Sequence, residues 1–346
     1  MLGHNRWHPG VEPLKTVRPG ELVTLDAPLG SGDQIGPESA SEDLLTLDLS
    51  DDLLAGPVYV EGAEPGDVLV VELVGVEPEP FGFSAVFPGF GVLADLFTDP
   101  FLVTWQLDRS FGRSDALPGF RIPADPFPGT IGLAPSAELM EAVRRREDVL
   151  FERAGLDLSD FTPPAVPPHA DGGLGTLPPR EIGGNLDLRQ FVQGARLFLP
   201  VYAPGALLSL GDCHYAQGDG EVCGSAIEIG AQVTLRLDVV RGGVWRPRFP
   251  ALETAERPAR RAFATTGIPL TDGGDNELLD VGLAMRRALL EMIDFLEAVH
   301  GLSRQAAYVL ISVAAEIRIA EAVDLPNALV SVALPVDVFE CYASPA

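Results

Sequence analysis

Two stretches toward the end of the chain carry apolar residues at helical spacing. Between Asn276 and Val299, the residues Leu278, Leu279, Val281, Met285, Leu289, Met292, Ile293 and Leu296 fall on one stripe, which predicts an amphipathic helix. A second helix is predicted from Ser303 to Val323, with Ser303 as its N-cap and Ala307, Leu310, Ile311 and Ala314 on its buried face. Residues 136–155 predict a third: Ser136 caps, Glu138 stands in the first turn, and Leu139, Val143 and Leu150 follow at helical spacing. The remaining apolar runs are short and bounded by turns. Leu22–Leu25, Leu45–Leu49, Val58–Val60, Val68–Leu73, Leu197–Val201, Leu207–Leu210, Val233–Val240 and Ala328–Leu334 all read as strands. The predicted class is a β-rich α+β fold, sandwich- or barrel-like, with two C-terminal helices. The Pro- and Gly-rich stretch Asp160–Pro179 reads as a long loop or linker. It divides the chain into an N-terminal β-rich part, 1–160, and a C-terminal α+β part, 161–346, two parts that can interleave.

Charge narrows the choice of partners. The 346 residues carry 24 basic and 50 acidic side chains, a net charge of -26, which argues against a nucleic acid or an anionic membrane as partner. No run approaches the eighteen apolar residues of a membrane span, and Met1–Gly10 lacks the order of a secretory signal. Three cysteines, Cys213, Cys223 and Cys341, are too few for a disulfide scaffold and suit a reducing cytoplasm. Lys15 is the only lysine. A P-loop is therefore excluded, and amide hydrolases with Cys-Glu-Lys or Ser-Ser-Lys centres are disfavoured, because arginine cannot supply a tunable amine. No Gly-x-Ser-x-Gly occurs, so a serine-hydrolase elbow is unsupported.

The chemistry gathers between 183 and 228. Gly183-Gly184-Asn185-Leu186-Asp187 is followed by Gly211-Asp212-Cys213-His214, then Gln217-Gly218-Asp219-Gly220-Glu221, then Ile227-Glu228. Asp212 and His214 are two apart at the end of an apolar run. On a continuing strand they share a face and offer one oxygen and one nitrogen to a divalent metal, leaving Cys213 to point into the core. Asp187 is the candidate third ligand. Glu221, after a Gly-Asp-Gly turn, is the candidate general base, with Glu228 as a supporting group or alternate ligand and alternate base. Asn185 and Gln217 are candidates to orient an amide through its oxygen and nitrogen. His169, in a Pro- and Gly-rich loop ahead of this segment, is a candidate to fold over it.

These residues closely resemble the acetamidase/formamidase family. The likeness is carried by 183–187, by Leu210 through Gly224, and by Ala226-Ile227-Glu228. It continues in Gly56-Pro57-Val58-Tyr59-Val60-Glu61-Gly62-Ala63-Glu64-Pro65-Gly66-Asp67, in Phe127-Pro128-Gly129-Thr130-Ile131-Gly132, in Ala306 through Ile319 and in Val323 through Asn327. The resemblance implies hydrolysis of short amides such as formamide and acetamide to a carboxylic acid and ammonia. It also implies a homodimer or higher oligomer, and a divalent metal at Asp-x-His. Zinc is expected, with calcium, iron and manganese as alternatives. The segment Glu79–Arg121 diverges from the family pattern, which leaves room for a larger or cyclic amide, such as a lactam.

Other features are given simpler readings. Gly89-Phe90-Gly91-Val92-Leu93-Ala94 matches a dinucleotide-binding pattern, but Pro88 precedes it and no βαβ periodicity surrounds it. Asp272–Glu277 is expected to cap the next helix. His4 and His8 are expected at the surface or a subunit contact, and His300 as a cation at a helix C-terminus.

Overall fold

The computed structural model describes residues 3–32, 34–48, 53–155, 163–242, 245–255, 260–323 and 325–342. Leu49, Asp160 and Asp324, on which parts of the sequence reading fall, lie outside the described residues. Strands β1 (Lys15–Val17), β2 (Leu22–Ala27), β3 (Ala55–Val60), β4 (Val68–Val86), β5 (Phe101–Leu107), β6 (Phe111–Arg113), β7 (Ile122–Pro123) and β8 (Phe127–Gly132) precede helix α1 (Ala137–Ala154). Next come β9 (Gly183–Asn185), β10 (Arg196–Pro200), β11 (Leu208–His214), β12 (Glu228–Val240), β13 (Ala251–Glu253) and β14 (Ala262–Gly267). Helices α2 (Val281–His300) and α3 (Arg304–Ala314) lead into β15 (Glu316–Glu321) and β16 (Leu329–Pro335).

The fold is β-rich α+β. Its large sheet follows the path β1-β3-β11-β12-β4-β5-β6-β7, with β2, β8, β9, β10 and β13 pairing off that path. A smaller antiparallel sheet, β14-β16-β15, carries α2, which also packs on α3. Strands from both sides of residue 160 hydrogen-bond in the large sheet: β11 with β3 and β8, and β12 with β2 and β4.

β12 shows why this sheet forms. Ile229, Ala231, Val233, Leu235 and Leu237 are buried in alternation with exposed Gln232, Arg236 and Asp238. Burying each of its Ile, Val and Leu side chains stabilises the fold by about 1.5–3 kcal/mol. Helix α1 is tied to the segment entering β9 by two bidentate pairs. Arg180 donates to both Glu147 oxygens at 2.8 and 2.9 Å, and Arg146 donates to both Glu181 oxygens. Arg180 is buried, so losing Glu147 would strand a charge. Among the described residues, no helix is long and apolar enough to cross a membrane.

Four sequence expectations are corrected. Ser41–Thr46 is a 3-10 helix where a strand was expected from Leu45; Asp43 Oδ2 accepts from the Ala40 amide, and Leu44 alone turns into the core. The predicted 303–323 helix stops at Ala314 and becomes β15. The amides of Gly218 and Asp219 take the carbonyls of Ser312 and Ala315, and the Ile317 amide donates to Asp219 Oδ2. The N-cap of α2 is Asp280, which accepts from the Leu283 amide; the acidic turn before it closes on itself through Thr271 and Asp275. His4 is buried, its Nδ1 donating to the Arg6 carbonyl at 2.8 Å and its Nε2 facing Ser209 Oγ at 2.7 Å.

Candidate active site

Three strand pairings and one helix end deliver the polar cluster. In the antiparallel register of β11 and β12, His214 stands opposite Glu228. β8 lies between β11 and β9, so Thr130 is opposite both Gly211 and Asn185. Its hydroxyl donates to Asn185 Oδ1 at 2.7 Å and lies 3.3 Å from Asp212 Oδ2. Asp187, just past β9, is held by its amide on the Gly129 carbonyl. Glu221 arrives on the 217–221 turn, which is docked on the C-terminal end of α3 by the Gly218 and Asp219 hydrogen bonds.

The five acid–base groups meet at one place. His214 is fully buried, and its Nε2 lies 3.1 Å from Glu228 Oε2, 3.3 Å from Asp212 Oδ1 and 3.9 Å from Glu221 Oε1. Its Nδ1 is 3.8 Å from Asp187 Oδ1. The other Glu228 oxygen accepts from the Ala226 amide at 2.8 Å.

Gln217 sets the orientation of this ring. Its Nε2 donates to the Asp187 main-chain carbonyl at 3.0 Å, an acceptor only, which turns Oε1 toward His214 Nδ1 at 2.8 Å. Nδ1 must then carry the proton, and Nε2 is the nitrogen left facing the carboxylates. The edge of the Phe127 ring backs the imidazole at 5.3 Å between centroids.

Backbone strain concentrates here. Asp187, Asp212 and Glu221 have φ of 47°, 49° and 43°, three of the six non-glycine residues in the left-handed region among those described. Such conformations cost about 1–3 kcal/mol each and persist where the surroundings impose them. Period-two alternation therefore breaks at Asp212, although Cys213 still points into the core.

The electrostatics follow from crowding acids in a dry place. Burial pushes the Asp187 carboxyl up to about 7, with the His214 charge opposing and Asp212 and Glu228 reinforcing. Burial, then Asp187, holds Glu221 well above the usual carboxylate range, and burial also raises Glu228. Burial would raise Asp212 too, but the His214 charge and the close polar contacts with His214, Glu228 and Thr130 outweigh it and lower its pKa. Burial opposes protonation of His214, yet Glu228 and Asp212 raise it far above 6.5.

This donor set fits a divalent cation. Asp187, Asp212 and His214 each place a ligand atom within 4.8 Å of the others, as do His214, Glu221 and Glu228. Asp187 Oδ1 and His214 Nε2 are buried without a hydrogen-bond partner, aimed into the shared space. One imidazole among four carboxylates leaves negative charge that a cation would neutralise.

The sequence pattern of the Acetamidase/Formamidase family matches residues 1–341. The chain belongs to this family. The acetamidase of Mycolicibacterium smegmatis is 33% identical over 350 residues, covering 89% of this chain and 84% of that protein. The formamidase of Methylophilus methylotrophus is 32% identical over 367 residues, covering 97% and 89%. Among solved structures, a gamma lactamase from Delftia acidovorans superposes with a TM-score of 0.93 at 32% identity, covering 99% of this chain and 90% of its own. An acetamidase from Bacillus halodurans gives 0.58 at 25% identity, covering 96% and 95%.

Within this acetamidase/formamidase fold, the sequence-predicted residues divide cleanly. Asp187, Asp212, His214, Glu221 and Glu228 converge, and Asn185 joins them through Thr130. Gln217 lies behind His214 with both ends of its amide engaged, so it does not face the cavity as a substrate-orienting group. His169 is exposed on the 3-10 turn Pro168–Ala170, beside His8 and away from the cavity lining, because its loop folds over the N-terminal segment. The surroundings of His300 disfavour the expected cation. Its ring sits among Phe120, Phe295 and Phe339, and burial lowers its pKa. Cys213 and Cys223 are buried, their thiols pushed up to about 12 and about 11 by desolvation, which suits packing and not nucleophilic attack. Thr130 went unread as a site residue; the Phe127–Gly132 signature was its only signal.

Proposed function

We propose that the site hydrolyses carboxamides, with water adding to the carbonyl and the products leaving as a carboxylic acid and ammonia. The convergence of Asp187, Asp212, His214, Glu221 and Glu228 around one hollow carries this reading. Asp187, Asp212 and His214 would hold the cation, with Glu228 as an alternate ligand; zinc suits an imidazole-carboxylate set best, ahead of iron, manganese and calcium. When bound, such an ion supplies Lewis acidity at the amide carbonyl and a water of lowered pKa.

The chain's own groups do the rest. Glu221, whose carboxyl is held above the ordinary range, takes the proton from attacking water and returns it to the departing nitrogen. Thr130 occupies the Asn185 carbonyl oxygen, which leaves the Asn185 NH2 as the donor for the substrate oxygen. Gln217 keeps His214 in register from behind. Formamide and acetamide are the reference substrates, in line with the relatives' names. A cyclic amide is the second reading, favoured by the 0.93 superposition on the gamma lactamase.

Ammonia release from formamide and acetamide, and opening of a five-membered lactam, test the reading in wild type and Glu221→Gln. The variant should lose about a hundredfold or more in kcat. Full activity in Glu221→Gln would remove Glu221 from the chemistry, and turnover of none of these amides would reject the reading.

A further inference from the structure

The cavity above the carboxylates is far larger than its smallest candidate substrates need. It is open to solvent and has a volume of about 190 Å3, with Thr130, Asn185, Asp212, Glu221 and Glu228 on its polar side. At the roughly 30 Å3 that a water takes in the liquid, this is room for about six waters. The group on formamide is a hydrogen and that on acetamide a methyl; either fills a fraction of this space.

The apolar part of the lining is Leu47, Phe83, Phe87, Phe90 and Leu177, with Ser31, Gln34, Asp48, Thr176 and Ser225 bordering it. Phe83 is buried in a small core with Ile35, Leu44 and Ala85, against which Leu47 and Phe87 also pack. Phe90 and Leu177 are 45% and 46% exposed, the two members of the wall that a ligand would cover.

Phe90 is held in place. It lies between Gly89 and Gly91, at φ of 80° and 96°, in the stretch whose glycines mimic a dinucleotide-binding pattern. A Cβ on Gly91 would stand 3.0 Å from the carbonyls of Val222 and Cys223, so this turn presses directly on the backbone of the turn that follows Glu221. The Val92 amide donates to Val222 O and the Leu93 amide to Tyr308 Oη. The Phe90 ring itself rests on Gly224, where a Cβ would come within 2.4 Å of its Cδ1. The glycines therefore set an aromatic ring in the same cavity lining as Glu221 and Ser225.

We propose that Phe90, with Phe83, Phe87, Leu47 and Leu177, forms an acyl-binding wall, and that the favoured amides carry an uncharged apolar acyl group of ring or branched-chain size. This rests on the amide-hydrolase reading and specifies its substrate class. Among the described residues the cavity lining contains no Lys or Arg, while Asp48 joins Asp212, Glu221 and Glu228 along it, so amides bearing a second carboxylate are disfavoured.

The test is kcat/KM for acetamide, isobutyramide, phenylacetamide and malonamate with wild type, Phe90→Ala and Leu177→Ala. Wild type should favour phenylacetamide and isobutyramide over acetamide, with malonamate the poorest. The phenylacetamide-to-acetamide ratio should fall roughly tenfold or more in each variant, the range expected for apolar pocket contacts. A wild type that prefers acetamide, or a ratio unmoved in both variants, would overturn the acyl wall while leaving amide hydrolysis standing. Turnover of none of the four would overturn hydrolysis itself, and the wall with it.

Discussion

A Cβ on Gly129 would stand 2.5 Å from Cε1 of His214 and 2.6 Å from Asp187 Oδ1. β8 thus approaches the cluster with bare backbone, and its glycine sets how close the imidazole and the carboxylate come. Gly129→Ala should force both side chains to shift at a cost of about 1–3 kcal/mol for overpacking. Ammonia release should drop by roughly a hundredfold with the fold retained, since positioning errors near 1 Å are that costly. Unchanged turnover in the alanine variant would show that this contact does not set the site.

The left-handed backbone at Asp212 separates charge from conformation. Asn tolerates positive φ, whereas Ala there costs about 1–2 kcal/mol. Asp212→Asn and Asp212→Ala should both lose activity. In metal-stripped protein at neutral pH the Asn variant should unfold earlier than wild type, because the folded state favours the ionised Asp212 beside His214, and the Ala variant should be less stable than the Asn variant by that further amount. Urea midpoints decide this, and equal midpoints for Asn and Ala would count against backbone strain at 212.

The buried His4, against Ser209 of β11, predicts a pH effect separate from the carboxylate cluster. Burial lowers its pKa from 6.5 to about 4, with the hydrogen bond to Arg6 opposing. The folded state therefore refuses a proton that the unfolded chain accepts, so stability is full above pH 6.5 and falls as pH drops toward 4. Between pH 7 and pH 5 the loss from this group is about 2 kcal/mol. His4→Gln, which can still donate to Arg6 and accept from Ser209, should be less sensitive by that amount in urea titrations at the two pH values. Identical pH dependence in wild type and variant would refute the assignment.

The sequence was most legible where the signal is local. Helices α1 and α2 carry their own apolar stripes, and α1 and α3 begin at the serine caps that sequence reading expects. The end of α3 was not legible, because distant amides at Gly218 and Asp219 claim its last carbonyls. The length of β4 was hidden by Glu77-Pro78-Glu79-Pro80, which breaks the strand pattern; the sheet absorbs it in a register shift between Ile229 and Ala231 of β12.

The same division holds at the site. Its acids and histidine crowd into 183–228 and can be read together, whereas Thr130 and Phe83 arrive by sheet pairing and Phe87 and Phe90 on the turn that follows β4. The role of Gln217 depends on the Asp187 carbonyl, a backbone acceptor that no side-chain pattern reveals.

The two overlapping ligand triads share His214, so the cluster should take a single divalent ion per chain. Ammonia release from an amide substrate, followed while chelator-stripped protein is titrated with zinc, tests this most directly. The expected result is negligible turnover without metal and activity rising linearly to a plateau at one equivalent per chain. Undiminished turnover by the stripped protein would contradict it.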